Sequence, residues 1–482
     1  MLNRGIKNQK LLFIFALIVA LILGIELVVH GYNYLNYISH IAKQNNDFES
    51  SYFRRGIEYI ILNIIYFLWL IQNKALKKRS NFINLLKLSI VFLLIAFFSY
   101  PVTSDIYLYL QYGLMDINKI NPFLNPAGTF TSDLSPFLVW KQSSTYGPIS
   151  QIFFIISAVF TSFGLVGRVY VFKFFCLLGH TLNSYLIWRQ LKDCKHQNKI
   201  TLAYLLNPLL LFEHVANAHL DVFICTALIV LINFIKQNRY TYSILTIWIG
   251  FLTKTIPIIW LPLISVFLVR QRRWKSLLIA AFLSLAIVTA LFSTVLPTSK
   301  AWLSILNPGV SWQTAGSLHN ILDVVLNTIE PFLSNLGARP QRIKRITLFA
   351  FKTLAYLGFV IFYAKTLLNV YFKRGYSTNN LILDMGWTTL VLFLFATPWY
   401  QPWYCSILLS IAALKSDSWF FVLTSLTFCI SSTCSYYLLA YAPEQYLLVV
   451  VSIITVVPTI GVLITKPRIL RAIPHPWSVS NP

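Results

Sequence analysis

Charge is what this sequence has least of. Charged residues make up 11% of its 482 positions, where a soluble globular domain carries about 25%. Acidic residues are the scarcer kind, 15 against 39 basic ones, which leaves a net charge of +24. Together with 57% apolar residues and a mean hydropathy of +0.66, this excludes a disordered chain, a fibrous chain and an ordinary soluble enzyme. Repeated apolar runs of roughly 18 residues or more leave a polytopic, all-α membrane protein. Cysteine is also sparse. Cys176, Cys194, Cys225, Cys405, Cys429 and Cys434 lie mostly within apolar runs without metal-type spacing. They read as small apolar fillers, with no disulfide framework. No small-x-small cleavage site follows the amino-terminal apolar run, which therefore reads as an uncleaved first membrane helix.

A basic surplus can mark a nucleic-acid binder with one positive face. Here the basic residues stand in short clusters between apolar runs, the positive-inside pattern, and no nucleic-acid partner is expected. With Arg4, Lys7 and Lys10 inside, the first helix exits near His30, and a polar loop to Arg55 lies outside. A second helix, about Ile57 to Gln72, returns to Lys74, Lys77, Lys78 and Arg79. A third, about Leu85 to Pro101, goes out to a polar loop from Val102 to about Gly147. The apolar run Ile149 to Phe163 is laid along the outer surface, because a crossing there would put Arg189, Lys192, Lys195 and Lys199 outside. Helices follow near 168–190, 200–213, 221–235, 241–253, 256–270, 276–296, 346–372, 381–397, 402–414, 418–440 and 446–465. Lys236, Arg239, Arg270 to Lys275, Lys373, Arg374, Lys415 and the tail Lys466, Arg468 and Arg471 are then inside. The expectation is about fourteen crossings in one integral membrane domain over 1–482, with external loops at about 102–167 and 297–345 and no soluble domain. One cluster breaks the rule. Arg339, Arg342, Lys344 and Arg345 fall outside, either because a helix over Leu318 to Leu336 is uncounted or because they form an outer phosphate-binding patch. Arg suits phosphate through its planar fork of donors.

The first external loop opens with Ser104-Asp105-Ile106-Tyr107, continues through Tyr112-Gly113, Asn121-Pro122-Phe123 and Trp140, and closes at Tyr146-Gly147-Pro148. Asp105 stands just beyond a membrane helix, where partial desolvation raises a carboxylate's basicity and suits a general base. An ordinary helix-capping Asp is the bland alternative. Tyr107 and Tyr146 are candidates for substrate contact. After Asn207-Pro208 comes a polar knot, Glu213-His214-Val215-Ala216-Asn217-Ala218-His219-Leu220-Asp221. His219 and Asp221 invite a metal reading, but the spacing matches no standard zinc site. A second acidic group shaping an acceptor site, with Glu213 touching substrate, is the favoured reading, since polar groups at membrane depth usually face a cavity. Lys254 interrupts Phe251 to Pro257 between two short apolar runs. Its ammonium suits a lipid-linked phosphate, with Arg168 and Lys173 as helpers; snorkelling to the interface is the alternative. Near the end, Thr397-Pro398-Trp399-Tyr400-Gln401-Pro402-Trp403-Tyr404 doubles a Pro-Trp-Tyr. An aromatic belt is the default for such residues, yet rings also stack on sugars, and Ser317-Leu318-His319-Asn320 offers further polar contacts through His319.

These motifs, in order, resemble the GT-C superfamily of integral membrane glycosyltransferases, above all the polyprenyl-phosphate-mannose-dependent α-mannosyltransferases and more distantly the aminoarabinose transferases. The resemblance spans Asp105 to Tyr404. More helices precede the Asp105 loop than the one found in many members, and the doubled Pro-Trp-Tyr is a second departure. The resemblance implies a GT-C-type helix bundle with surface-parallel helices on the outer face, a donor of one sugar on a polyprenyl monophosphate, and inversion at the sugar carbon. It places Asp105 as base, His219 and Asp221 at the second acidic position, and Lys254 near the donor phosphate, with no cofactor. A sugar phosphate monoester is already activated, so no metal is required to expel it. The expected protein is a hexosyltransferase, with mannose the favoured sugar. It would serve a glycan or glycolipid acceptor at the outer, periplasmic face of a bacterial inner membrane. A transporter or flippase of a lipid-linked saccharide is the rival, and the absence of a second copy of the Asp105 or His219 region counts against it.

Overall fold

Apolar runs become helices nearly everywhere the hydropathy places them. The computed structural model describes residues 2–38, 48–72, 80–306, 313–335, 339–439 and 445–465. The clusters Lys74, Lys77, Lys78, Arg79 and Lys466, Arg468, Arg471, with the side chain of Cys434, lie outside the described residues. Among the described residues there are nineteen α-helices and no strand. Five helices are long and apolar enough to cross a membrane: Leu11–Asn36, Thr161–Gln190, Trp274–Ser293, Pro340–Phe372 and Thr378–Ala396. A bent pair, Pro208–Ala216 with Asp221–Lys236, makes a sixth if it counts as one span. None of the five described cysteines is part of a disulfide.

The helices form two units, each described by itself. The first holds α1 (Leu2–Ile38), the end of α2 (Phe48–Gln72), α3 (Phe82–Phe98), α4 (Asp105–Ile117), α5 (Pro148–Val159), α6 (Gly164–Gln190) and α7 (Gln197–Leu205). It continues with α8 (Pro208–Leu210), α9 (Asp221–Lys236), α10 (Tyr240–Phe251), α11 (Trp260–Arg270), α12 (Trp274–Ser293) and α13 (Ser299–Leu306). The second holds the start of α2, then α14 (Leu318–Asn335), α15 (Pro340–Phe372), α16 (Thr378–Val391), α17 (Cys405–Leu414), α18 (Trp419–Leu439) and α19 (Gln445–Ile464).

Three stretches differ from the sequence expectation. The supposed loop after α3 contains α4, whose residues Ile106 to Met115 are all buried. Tyr, Gln and Gly lower its hydropathy, but it lies flat against α5. Gly113 permits that approach, since a Cβ there would stand 2.3 Å from the Phe154 carbonyl oxygen. Gln151 Nε2 donates to Tyr112 O at 2.7 Å, and the Tyr109 and Phe154 rings stack at 5.0 Å. With twelve residues, α5 is about 18 Å long, short of the roughly 30 Å hydrocarbon core.

The helix expected near 200–213 is broken instead. It runs as α7, stops at Leu206, and restarts at Asn207-Pro208, where the Asn207 side chain caps Leu210 N at 3.2 Å and Pro fills the first helical position. From Leu211 to Ala216 the backbone is π-helical. The chain then bends by 117° into α9. Irregular backbone among apolar helices is tolerated where it is buried in protein or lines a cavity, and π-helical turns gather at functional sites.

The third is the supposed loop at 297–345, which carries α13, α14 and the first turns of α15. The helix over 318–336, one of the two explanations for the misplaced arginines, is present as α14. Its His319, Asn320, Asp323, Asn327 and Glu330 keep it below the hydropathy of a span.

Candidate active site

Two polar segments meet in the first unit. Asp105 is the first residue of α4 and Asp221 the first of α9, so each carboxylate sits at a helix end that favours negative charge. Between the π-helical turn and α9, Asn217 N bonds to Phe212 O and His219 N to Glu213 O, each at 2.8 Å. Ala218 closes this reversal at φ +57°, a conformation that costs a non-glycine residue roughly 1–2 kcal/mol. The reversal swings His219 back over Glu213. His219 Nδ1 stands 2.9 Å from Glu213 Oε2, and Asn217 Nδ2 donates to the same oxygen at 3.1 Å. His219 Nε2 faces Asp105 Oδ2 at 3.8 Å, an electrostatic contact too long for a hydrogen bond. Asn217 Oδ1 accepts from Val102 N at 3.1 Å, tying this turn to the segment that leads into Asp105.

Beside them, Lys254 Nζ lies 3.0 and 3.2 Å from the two Asp221 carboxylate oxygens. The Tyr146-Gly147-Pro148 motif holds that lysine's segment. Gly147 N donates to Thr253 O at 3.1 Å, Ile149 N to Leu252 O at 2.9 Å, and Ser150 Oγ to Thr253 O at 2.8 Å. A Cβ on Gly147 would stand 2.1 Å from Leu252 O, which is why glycine is needed here.

Exposure separates the groups by task. Asp105 keeps 16% of its side chain accessible and Lys254 15%, while Asp221 has 1% and His219 and Glu213 none. Asp105 and Lys254 are thus the groups a substrate can touch, each backed by a buried polar partner. Burial pushes the Asp105 carboxyl above its ordinary value. His219 and Lys254 pull it back, and Asp221 and Glu213 add to the rise.

Other candidates have structural partners. Tyr107 is buried, its hydroxyl donating to Tyr100 at 3.3 Å and its ring stacked on Phe137 at 4.9 Å. The half-buried Tyr146 ring sits edge-on to Tyr109 at 5.0 Å. Arg168, buried, pairs with the exposed Asp133, a partner the sequence reading missed. Lys173 is fully buried and donates to three backbone carbonyls. The metal reading of His219 and Asp221 meets groups that already hold each other in pairs, His219 with Glu213 and Asp221 with Lys254. Among the described residues no three His, Cys, Asp or Glu side chains are grouped to hold a metal ion.

In the second unit the structure joins two motifs. Ala315 N donates to Pro398 O at 3.1 Å, Tyr400 N to Ala315 O at 2.9 Å, and Ser317 Oγ to Pro398 O at 2.6 Å. Gly316, at φ +56°, lets the two segments of this bridge meet. His319 is buried against the Phe351 ring at 5.1 Å, and burial, helped by Lys352, pushes its pKa down to about 4. Tyr400 and Trp403 are buried, and Tyr404 stacks on Phe393 at 5.6 Å, so most of the doubled Pro-Trp-Tyr is packing. Trp399 is half-buried. Arg339, Arg342 and Arg345 are exposed at the start of α15, while Lys344 pairs with Asp323 at 2.7 Å.

Residues 52–270 match the family model described as alpha-(1->6)-mannopyranosyltransferase, N-terminal domain. The resemblance to membrane mannosyltransferases is borne out. Such a mannosyltransferase is an enzyme that moves a sugar from a donor to a glycan acceptor, and its apolar helices suit a membrane protein. Asp105, Tyr146, Glu213, His219, Asp221 and Lys254 all fall within the matched stretch. No curated protein and no solved structure matches the chain.

Proposed function

We propose that the chain is a GT-C-type transferase that moves one hexose, mannose, from a polyprenyl monophosphate to a glycan or glycolipid acceptor, with inversion, at the periplasmic face of a bacterial inner membrane. The observation that carries this is one juxtaposition: a partly accessible Asp105 backed by the His219–Glu213 pair, beside a partly accessible Lys254 backed by Asp221. The acceptor hydroxyl attacks the sugar's anomeric carbon as the bond from that carbon to the phosphate oxygen breaks. The hydroxyl proton passes to Asp105, and the bonding pair leaves with polyprenyl phosphate. Burial makes Asp105 a stronger base than an ordinary carboxylate. His219, oriented by Glu213, stabilises the carboxylate and the developing charge. Lys254 faces the departing phosphate, and Asp221 keeps its ammonium in place. In the second unit, the exposed Arg339, Arg342 and Arg345 crowd the start of a helix, the end that repels cations, and form an anion-binding surface.

The test is transfer of radiolabelled mannose by purified protein in detergent, from synthetic polyprenyl-phosphate-mannose or from a nucleotide-mannose, with membrane glycolipid extract as acceptor. Label reaching product from the polyprenyl donor alone, as the inverted anomer, is the expected result. Transfer from the nucleotide donor, or retention of configuration, would overturn it.

A further inference from the structure

A lysine inside an apolar helix needs a reason, and Lys173 has one that the reaction above does not use. It lies in the middle of α6, fully buried. Its ammonium donates to Ala216 O at 2.9 Å, to Ala96 O at 3.3 Å and to Ser99 O. These are carbonyls at the ends of two helical segments. Ala96 is in the last turn of α3 and Ser99 is its terminal cap, ahead of Pro101. Ala216 is the last residue of the π-helical turn. Such carbonyls lack intrahelical partners and carry the negative end of the helix dipole. Three N–H donors meet three acceptors, so none remains for a donor phosphate, and the helper role expected from sequence does not fit this geometry. Tyr170, one turn earlier on α6, adds a further tie. Its hydroxyl donates to Phe98 O at 2.8 Å, and its ring lies 5.5 Å from the lysine nitrogen.

The two carbonyl groups lead directly to the two halves of the site. Ser99 is followed within six residues by Asp105, and Ala216 within three by His219. Resting on the transferase reading above, we propose that Lys173 is a positioning residue: an internal cation that bolts the end of α3 to the π-helical turn and so sets the separation of Asp105 and His219. Asn217 bonding to Val102 is the second, neutral fastening of the same two segments.

Lys173→Ala removes the ammonium and its stem and leaves three carbonyls around a slot shaped for a primary alkylammonium. In steady-state transfer assays kcat should fall by on the order of 100-fold, the cost of misplacing reacting groups by about 1 Å, while the donor KM stays within about twofold. Butylammonium should restore part of kcat and raise the unfolding midpoint of Lys173→Ala, and neither effect should appear with tetramethylammonium, which has no N–H, or in wild type. A raised donor KM with kcat retained would overturn the proposal in favour of phosphate contact. Unchanged kcat, or rescue by tetramethylammonium, would overturn it as well. Should Lys173→Ala fail to accumulate, Lys173→Gln keeps two uncharged donors and must show the same kcat loss at constant KM. The unfolding midpoint requires no turnover. If wild type transfers no sugar, the transferase reading fails, while the midpoint still judges the bolt.

Discussion

Gly147→Ala tests how the Tyr-Gly-Pro motif serves the site. The added methyl would lie 2.1 Å from Leu252 O, 2.4 Å from its carbonyl carbon and 2.7 Å from its Cα. All three are backbone atoms, so no side-chain rotation relieves the clash, and the two segments must separate. Separation breaks the bonds from Gly147 N, Ile149 N and Ser150 Oγ to the Leu252 and Thr253 carbonyls. At about 1 kcal/mol each, the loss is about 3 kcal/mol. Ser150→Ala removes one of the three and should cost about 1 kcal/mol, which provides the scale. Because Lys254 follows Thr253 directly, its ammonium moves with them, and the donor KM should rise more than the acceptor KM. Denaturant unfolding in detergent gives the first number, and steady-state transfer with each substrate varied gives the second. Gly147→Ala as stable as wild type, with an unchanged donor KM, would refute the docking argument.

Three further outcomes follow from the same geometry. Glu213→Gln keeps the side chain's size but removes the charge 2.9 Å from His219 Nδ1 and the charged acceptor of the Asn217 hydrogen bond; losing a charge-assisted contact of roughly 1.5–3 kcal/mol should lower kcat by about tenfold to a hundredfold, and an unchanged kcat would separate Glu213 from the reaction. Burial raises the Asp105 pKa, and the base works only when deprotonated, so activity is present above that pKa and lost as pH falls through it; the acid limb of kcat/KM should therefore lie above the ordinary carboxylate value of about 4, and a limb at or below that value would contradict the assignment. Ala218→Val puts a β-branched residue at φ +57°, where alanine already bears the cost of a left-handed backbone and branching adds to it; it should destabilise by about a further 1 kcal/mol, measured as a lowered unfolding midpoint, whereas an unchanged midpoint would mean the reversal tolerates a branched side chain.

Much of the fold was legible because a membrane helix announces itself by length and hydropathy. Helices expected near 168–190, 221–235, 276–296 and 446–465 are found as Gly164–Gln190, Asp221–Lys236, Trp274–Ser293 and Gln445–Ile464. What hydropathy left as loop, or for α14 as one of two readings, were helices whose polar residues face protein. In α4 the tyrosines and Gln111 are buried by α5 and its neighbours, and in α14 the polar residues Asn320 and Asp323 bond to Thr314, Ser452 and Lys344. Hydropathy averages over both faces and reads each as loop. The individual residues Asp105, His219, Asp221 and Lys254 stood out because charge at membrane depth is costly. Their pairing did not, because Glu213 and His219 are six residues apart, a spacing no regular helix or strand brings together. A π-helical turn and a positive-φ alanine do so here, and neither has a residue signature. Asn217, which fastens that turn to Val102, was one polar residue among several and carried no signal of its own. Lys173 showed the opposite failure: its charge was noticed, but only the fold reveals that three carbonyls already hold it.

The central claim is that Asp105 removes the acceptor proton, and Asp105→Asn tests it most directly. The amide keeps the size and most of the hydrogen bonding of the carboxylate but cannot take a proton. In the polyprenyl-phosphate-mannose assay the variant should lose at least about 100-fold in kcat, the lower range for removing a general base, with the unfolding midpoint of wild type. Transfer retained within a few-fold would contradict the account and move the search for the base elsewhere in the site.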